Sequence, residues 1–189
     1  IADVGDSNAE SVGGIVGAGE GYGVNGETKI ERCYFVRFGQ KNKVVGGLTC
    51  IGGIIGNAWA HLHVLDCETE GSFISYPSSE PNSYVGGIVG MASGDNIRVV
   101  GCRSSGSVTG YNYVSGVVGG SWSGLFISDV SSSARVSADG EGGFAAGIVI
   151  GEGVVVENAS YSGTVTGYRK QPIYFDYTLY CEDPDNYGL

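Results

Sequence analysis

The sequence predicts an all-β fold, a parallel β-helix (β-solenoid) of about five coils with an aromatic-rich C-terminal cap. Three observations carry this. A glycine-marked block returns five times along the chain. The apolar segments between turn residues are short and rich in Val and Ile, as strands are. Glycine accounts for 35 of 189 residues and proline for only 4. At roughly 1 kcal/mol per interior glycine, helices are heavily disfavoured. So little proline also excludes collagen-like and proline-rich linker sequences.

The elements follow in chain order. Residues 1–10 precede the first block and are read as an N-terminal edge or cap. The first block is Gly13-Gly14-Ile15-Val16-Gly17, and it returns as Gly52-Gly53-Ile54-Ile55-Gly56 and Gly86-Gly87-Ile88-Val89-Gly90. It weakens to Ser115-Gly116-Val117-Val118-Gly119 and then to Ala146-Gly147-Ile148-Val149-Ile150. Measured between Gly14, Gly53, Gly87, Gly116 and Gly147, the spacings are 39, 34, 29 and 31 residues. A near-duplicate, Val45-Gly46-Gly47-Leu48, leaves the register of the second copy open.

A second block follows each anchor glycine. It is clearest as Cys67-Glu68-Thr69-Glu70-Gly71-Ser72-Phe73, as the segment Cys102 to Gly110, and as Ala159 to Gly167. The copy from Val130 to Gly140 is degenerate, and the one around Cys33-Tyr34-Phe35-Val36 is looser still. The insertion from Tyr76 to Ser83, with Pro77 and Pro81, reads as a loop open to contact or as a plain connector. The repeat region is taken as 11–167. Residues 168–189 lack an anchor block and concentrate Tyr168, Tyr174, Phe175, Tyr177, Tyr180 and Tyr187. An open solenoid end exposes unpaired strand edges, and terminal repeats are usually atypical. This stretch is expected to supply a final strand plus a cap, or a junction to a further domain.

One unit cannot bury its apolar face alone, but units stacked in register can. Three residues before each anchor stand Ser11, Cys50, Tyr84, Tyr113 and Phe144. Two before stand Val12, Ile51, Val85, Val114 and Ala145, and one after stand Ile15, Ile54, Ile88, Val117 and Ile148. With rungs about 4.8 Å apart, equal residues form ladders. The aromatic and β-branched ladders are both expected to fill the narrow core. Consecutive Ile-Val pairs would face opposite sides of a regular strand, so either a glycine bend intervenes or the outside is partly covered.

The G-G-[IL]-[VI]-G block followed by a C-x-S-x-G-x-V-x-G block resembles the GLUG repeat of bacterial surface proteins. The likeness spans roughly residues 10 to 167 and is best from Tyr84 to Gly110 and from Gly143 to Gly167. GLUG repeats occur in adhesin-like proteins and in non-catalytic parts of large immunoglobulin A metallopeptidases. The resemblance implies an extracellular or cell-surface bacterial β-solenoid with a scaffold or adhesive role.

Charge removes several classes of partner. Acidic residues number 20 against 10 basic ones, for a net charge of −10. The basic residues are scattered, so no stripe exists to neutralise a nucleic-acid backbone or an anionic lipid surface. No apolar run approaches the ~20 residues of a membrane helix, so membrane insertion is not expected. The chain opens at Ile1 without a signal-like segment and is read as a mature or excised piece.

Candidate chemistry is sparse. Five cysteines cannot all pair within one chain. Cys33, Cys67 and Cys102 share a repeat position with Val130 and Ala159, which marks small buried hydrophobes and free core thiols. A bridge from Cys50 to Cys181 is left open. His61 and His63, with Asp66, have the spacing for metal chelation on one strand face. Two exposed histidines near a turn are the plainer alternative, and no metal is expected.

No His-Glu-x-x-His or Gly-x-Ser-x-Gly is present. Carboxylates recur at no fixed offset, so no catalytic residues and no cofactor are assigned. Asp3, Asp6 and Asn8, and Asp183, Asp185 and Asn186, read as solvated termini rather than calcium loops. Asn158-Ala159-Ser160 is a glycosylation sequon, of consequence only in a eukaryotic secretory pathway.

Trp59 and Trp122 each lie six residues past an anchor glycine, two units apart. Stacked columns would hold the indoles roughly 10 Å apart on one side, where they could stack on sugar rings. The competing reading has both indoles covering the turn beside the core. The function expected is therefore a non-catalytic cell-surface or secreted scaffold or adhesion module, with host glycan or protein as partner. The alternatives are a non-catalytic repeat region of a large surface metalloprotease and a β-helix polysaccharide-active enzyme.

Overall fold

The computed structural model describes residues 11–20, 27–35, 43–46, 49–75, 83–122 and 124–176. Residues 1–10, the insertion at 76–82 and the segment 177–189, including Cys181, lie outside this set. The described chain is all-β without helix, and its strands pair in parallel into a β-solenoid.

The first coil runs through β1 (Ser11–Gly13), β2 (Val16–Gly19), β3 (Thr28–Glu31), β4 (Tyr34–Phe35) and β5 (Lys43–Gly46). The second adds β6 (Cys50–Gly52), β7 (Ile55–Trp59), β8 (Leu62–Leu65) and β9 (Glu68–Ser75). The third adds β10 (Tyr84–Gly86), β11 (Val89–Ser93), β12 (Ile97–Val100) and β13 (Arg103–Gly110). The fourth has β14 (Tyr113–Ser115), β15 (Val118–Ser121), β16 (Leu125–Ser128), β17 (Ser131–Ser132) and β18 (Arg135–Ala138). The fifth has β19 (Phe144–Ala146), β20 (Val149–Gly151), β21 (Val155–Glu157), β22 (Ser160–Tyr161) and β23 (Thr164–Thr166). Finally β24 (Arg169–Gln171) and β25 (Tyr174–Asp176) start another turn.

Each coil visits four sheets in turn. The first sheet is β1-β6-β10-β14-β19-β24 and the second β2-β7-β11-β15-β20-β25. The third is β3-β8-β12-β16-β21, and the fourth stacks β9 and β13 between the shorter strands of the outer coils. Ser11, Cys50, Tyr84, Tyr113 and Phe144 are register partners, as the anchor spacing predicts. Val45 and Gly46 belong to β5 and pair with Ile74 and Ser75, so the near-duplicate is no anchor.

The glycine pair makes the corner between the first and second sheets. There the Ile88 carbonyl accepts from both Ile54 N–H (2.9 Å) and Ile55 N–H (3.1 Å). Val117 and Ile148 carbonyls do the same for the following coils. In the second and third coils both residues of the pair therefore turn inward: Ile54, Ile55, Ile88 and Val89 are fully buried in one core, whereas Ile15 of the first coil is 48% exposed.

The aromatic ladder lies elsewhere than the sequence suggests. Val85 and Val114 fill the main core, and alternation along the strand sends Tyr84 and Tyr113 to the opposite face. There the rings form a continuous stack. Tyr84 and Tyr113 centroids are 4.8 Å apart at 14°, Tyr113 and Phe144 5.2 Å apart at 5°. The Arg169 guanidinium lies 4.8 Å over Phe144 and terminates the stack. Tyr84 is nonetheless buried, because Met91 packs beside it and Gly120 leaves room for its ring. The expectation that the ladder fills the interior is thus corrected, and bend and outer cover are both present.

Buried hydroxyls tie the two sequence blocks together. Thr69 Oγ1 donates to Gly87 O of the next coil (2.8 Å), and Ser104 Oγ donates to Gly116 O. Ser132 occupies the next rung, its hydroxyl 3.0 Å from Ser104 Oγ and free to donate to it, and Tyr161 the one after. The Tyr161 hydroxyl donates to Ala134 O at 2.9 Å, and burial pushes its pKa up from 10.0 to about 12. The folded state thus holds this proton more tightly than the unfolded chain does. Its contribution is complete below pH 10 and is lost as pH rises through about 12. Chemical denaturation is expected to show stability falling across that window, and Tyr161→Phe to flatten the fall; an unchanged slope would count against the assignment.

Candidate ligand-binding face

The ends of β7, β11 and β15 form one column on the outside of the second sheet. Along β7, Ala58 is fully buried in the core, and alternation turns Trp59 outward. Trp59 pairs with Ser93 in the next rung. Trp122 follows Ser121, the partner of Ala92, and its backbone N–H donates to Ala92 O at 3.3 Å. The column therefore reads Trp59, Ser93, Trp122, which puts the indoles two rungs or ~10 Å apart.

Trp59 is 48% and Trp122 54% exposed, so the two indoles present open faces rather than sealing the turn. Ser93 between them is buried at 7%. Tyr84, the first ring of the outer stack, meets Trp122 edge-on at 6.1 Å and 84°. Trp122 is thus braced by a stacked array one sheet away.

Carboxylates close both ends of the column. Gly19 pairs with Ala58, which places Glu20 opposite Trp59. Gly151 pairs with Ser121, and Glu152 N–H donates to Ser121 O at 3.1 Å, which places Glu152 beside Trp122. Both glutamates are exposed. The face is an aromatic platform with an acidic rim.

The tryptophans were legible in the sequence; the brace and the rim were not. Glu20 and Ser93 lie six residues past Gly14 and Gly87, and Glu152 five past Gly147. The offset that finds the tryptophans finds Glu20 and Ser93 too and misses Glu152 by one residue. Tyr84 as a brace carries no such signal, because it contacts Trp122 across two sheets.

The other sequence candidates fall apart from this face. Cys33, Cys67 and Cys102 are stacked thiols. Cys67 Sγ donates to Leu65 O (3.2 Å) and Cys102 Sγ to Val100 O (3.4 Å), across turns where Asp66 (φ 51°) and Gly101 (φ 67°) are left-handed. Contact with Cys67, then burial, pushes the Cys102 thiol up, while burial and Cys67 raise Cys33. The raised Cys33 and Cys102 thiols are poor nucleophiles, whereas contact with Cys102 lowers Cys67 to about 7 at a site only 1% exposed. Cys50 is buried, and its pairing with Cys181 falls outside the described residues.

His61 sits in the turn before β8 at φ 59°, whereas His63 is buried on the strand between Lys29 and Arg98. His63 Nδ1 lies 3.6 Å from Glu27 Oε2. Among the described residues no three His, Cys, Asp or Glu side chains converge on a metal position. On the fourth sheet a polar groove of about 200 Å³ is lined by Glu68, Arg103 and a row of serines, with no aromatic surface. Comparison of the chain with protein-family models, curated proteins and solved structures gives no match.

Proposed function

We propose that the protein is a non-catalytic scaffold or adhesion module of a secreted or cell-surface bacterial polypeptide, and that Trp59 and Trp122 stack on glycan rings. The carrying observation is the pair of half-exposed indoles in one column, with Trp122 held by Tyr84. Sugar recognition needs flat apolar faces that are already fixed, since preorganised aromatics lose little entropy on binding. A hydrogen-bonded parallel stack provides that rigidity. The repeat blocks, which resemble GLUG sequences, favour the same class of role.

A non-catalytic reading is supported by the strand columns. Among the described strands, no two carboxylates occupy adjacent rungs of one column, which a general acid and base pair on a sheet face would require. The acidic rim of Glu20 and Glu152 selects neutral or amino sugars over sulfated or uronic ones, because like charges brought together at an interface are penalised.

A glycan array read with the intact chain tests this. Trp59→Ala or Trp122→Ala is expected to weaken binding by about 2 kcal/mol, roughly 30-fold, with unchanged melting temperature. Binding that survives loss of both tryptophans, or prefers sulfated glycans, would overturn the reading.

A further inference from the structure

The indole column fixes a length, a direction and a polarity for whatever lies on it. Trp59 and Trp122 stand two rungs apart, ~10 Å, with Ser93 on the rung between them. Both indoles are about half exposed, while Ser93 is small and buried, so the middle rung offers no aromatic face. Glu20 stands one rung before Trp59 and Glu152 one rung after Trp122, both exposed. The column crosses the strands of the second sheet from the first coil to the fifth, ~19 Å along the solenoid axis.

We propose that this face takes an extended β-1,4-linked hexose chain lying along the solenoid axis, with amino sugars preferred where the chain passes the glutamates. The inference rests on the glycan reading above and names the class of glycan. Each residue of such a chain advances by about the length of one rung, ~4.8 Å. Successive rings are flipped over, so a ring and its second neighbour present the same face. Residues n and n+2 can therefore stack on Trp59 and Trp122 together, while the flipped ring n+1 passes over Ser93. An α-1,4-linked chain coils instead and turns ring n+2 away from the column.

The rim follows from the same register. Residues n−1 and n+3 fall beside Glu20 and Glu152, and they share one orientation because they are four residues apart. A carboxylate accepts hydrogen bonds from sugar hydroxyls there, and a protonated amine in place of a hydroxyl adds charge assistance.

A proline-rich peptide is the competing occupant of matching length, since its left-handed helix repeats every three residues at about 9.3 Å. The rim disfavours it. Proline has no N–H, so such a backbone would bring carbonyl acceptors against two carboxylates that can only accept.

Isothermal titration calorimetry with the intact chain and defined oligosaccharides tests the proposal. The β-1,4-linked glucose trisaccharide is expected to bind at least about tenfold more tightly than the disaccharide, because it is the shortest chain that reaches both indoles. Trp59→Ala and Trp122→Ala should each remove that step, and the α-1,4-linked trisaccharide should not show it. The pentasaccharide reaches both glutamates. At low salt its glucosamine form should bind at least about threefold more tightly than its glucose form, and the double variant Glu20→Gln, Glu152→Gln should erase the difference. Tryptophan-dependent sugar binding without the step, or with an equal step for the α-linked chain, overturns the proposed linkage and leaves the glycan reading standing. Equal binding of the two pentasaccharides overturns the amino-sugar preference. Absence of tryptophan-dependent sugar binding, or tryptophan-dependent binding of a polyproline peptide in its place, overturns the proposal and the glycan reading together.

Discussion

Gly87→Ala is expected to lower stability by about 3 kcal/mol or more. A methyl at Gly87 would stand 2.2 Å from Gly116 O of the next coil and 2.8 Å from Ser104 Oγ. Neither can retreat. Gly116 O accepts the Ser104 hydroxyl, and the Gly116 N–H donates to Ala146 O at 3.1 Å. The clash is therefore passed along the stack rather than absorbed locally.

Gly86 is no roomier, since a methyl there would stand 1.9 Å from Val89 O and 2.7 Å from Gly119 N. Only in the fourth and fifth coils does its column carry side chains, as Ser115 and Ala146. Ser115 Oγ donates to Ile148 O at 3.0 Å there. Urea denaturation of Gly87→Ala measures the cost. A loss below about 1 kcal/mol would mean that the stack absorbs the methyl at this corner.

Phe73→Ala should be nearly as damaging, at about 3–5 kcal/mol, the range for emptying a buried aromatic site. Phe73 is fully buried, its ring 6.1 Å from that of Phe35, and its edge is close enough to exclude a methyl from Gly53. Its column otherwise holds Val108, Val136 and Val165, so the ring fills a width that valine does not. Tyr34→Ala provides the contrast, because Tyr34 is 59% exposed and should change stability by no more than about 0.5 kcal/mol. Because coils contact mainly their neighbours, the loss should appear first as faster amide exchange in the second and third coils. A loss below about 1 kcal/mol would contradict the packing described.

The candidate face was partly readable before any fold was known. Two tryptophans at the same offset from their anchors had to share a column once the coils stacked, and they do. Whether those indoles stand open could not be read from spacing. That depends on what leans over them, and Trp122 stays 54% exposed although it meets Tyr84 in a T-shaped contact. The thiol positions were readable for another reason: a site that accepts Cys, Val or Ala tolerates only what a small buried slot tolerates. His61 and His63 do not share a strand face, because alternation holds only within a strand and the left-handed turn at His61 breaks it.

By itself, the sequence determined the repeat, the parallel stacking and, outside the second copy, the register, because an insertion-tolerant loop cannot shift residues that follow a fixed glycine corner. Strand alternation also required Tyr84 and Val85 to face opposite sides. Which side became the interior was decided only by the tertiary structure. The branched column meets the other three sheets across a narrow core, and the flat rings gain more by stacking rung upon rung outside, under Met91 and against Gly120. Packing partners distant along the chain make that choice, and period-two patterning carries no information about them.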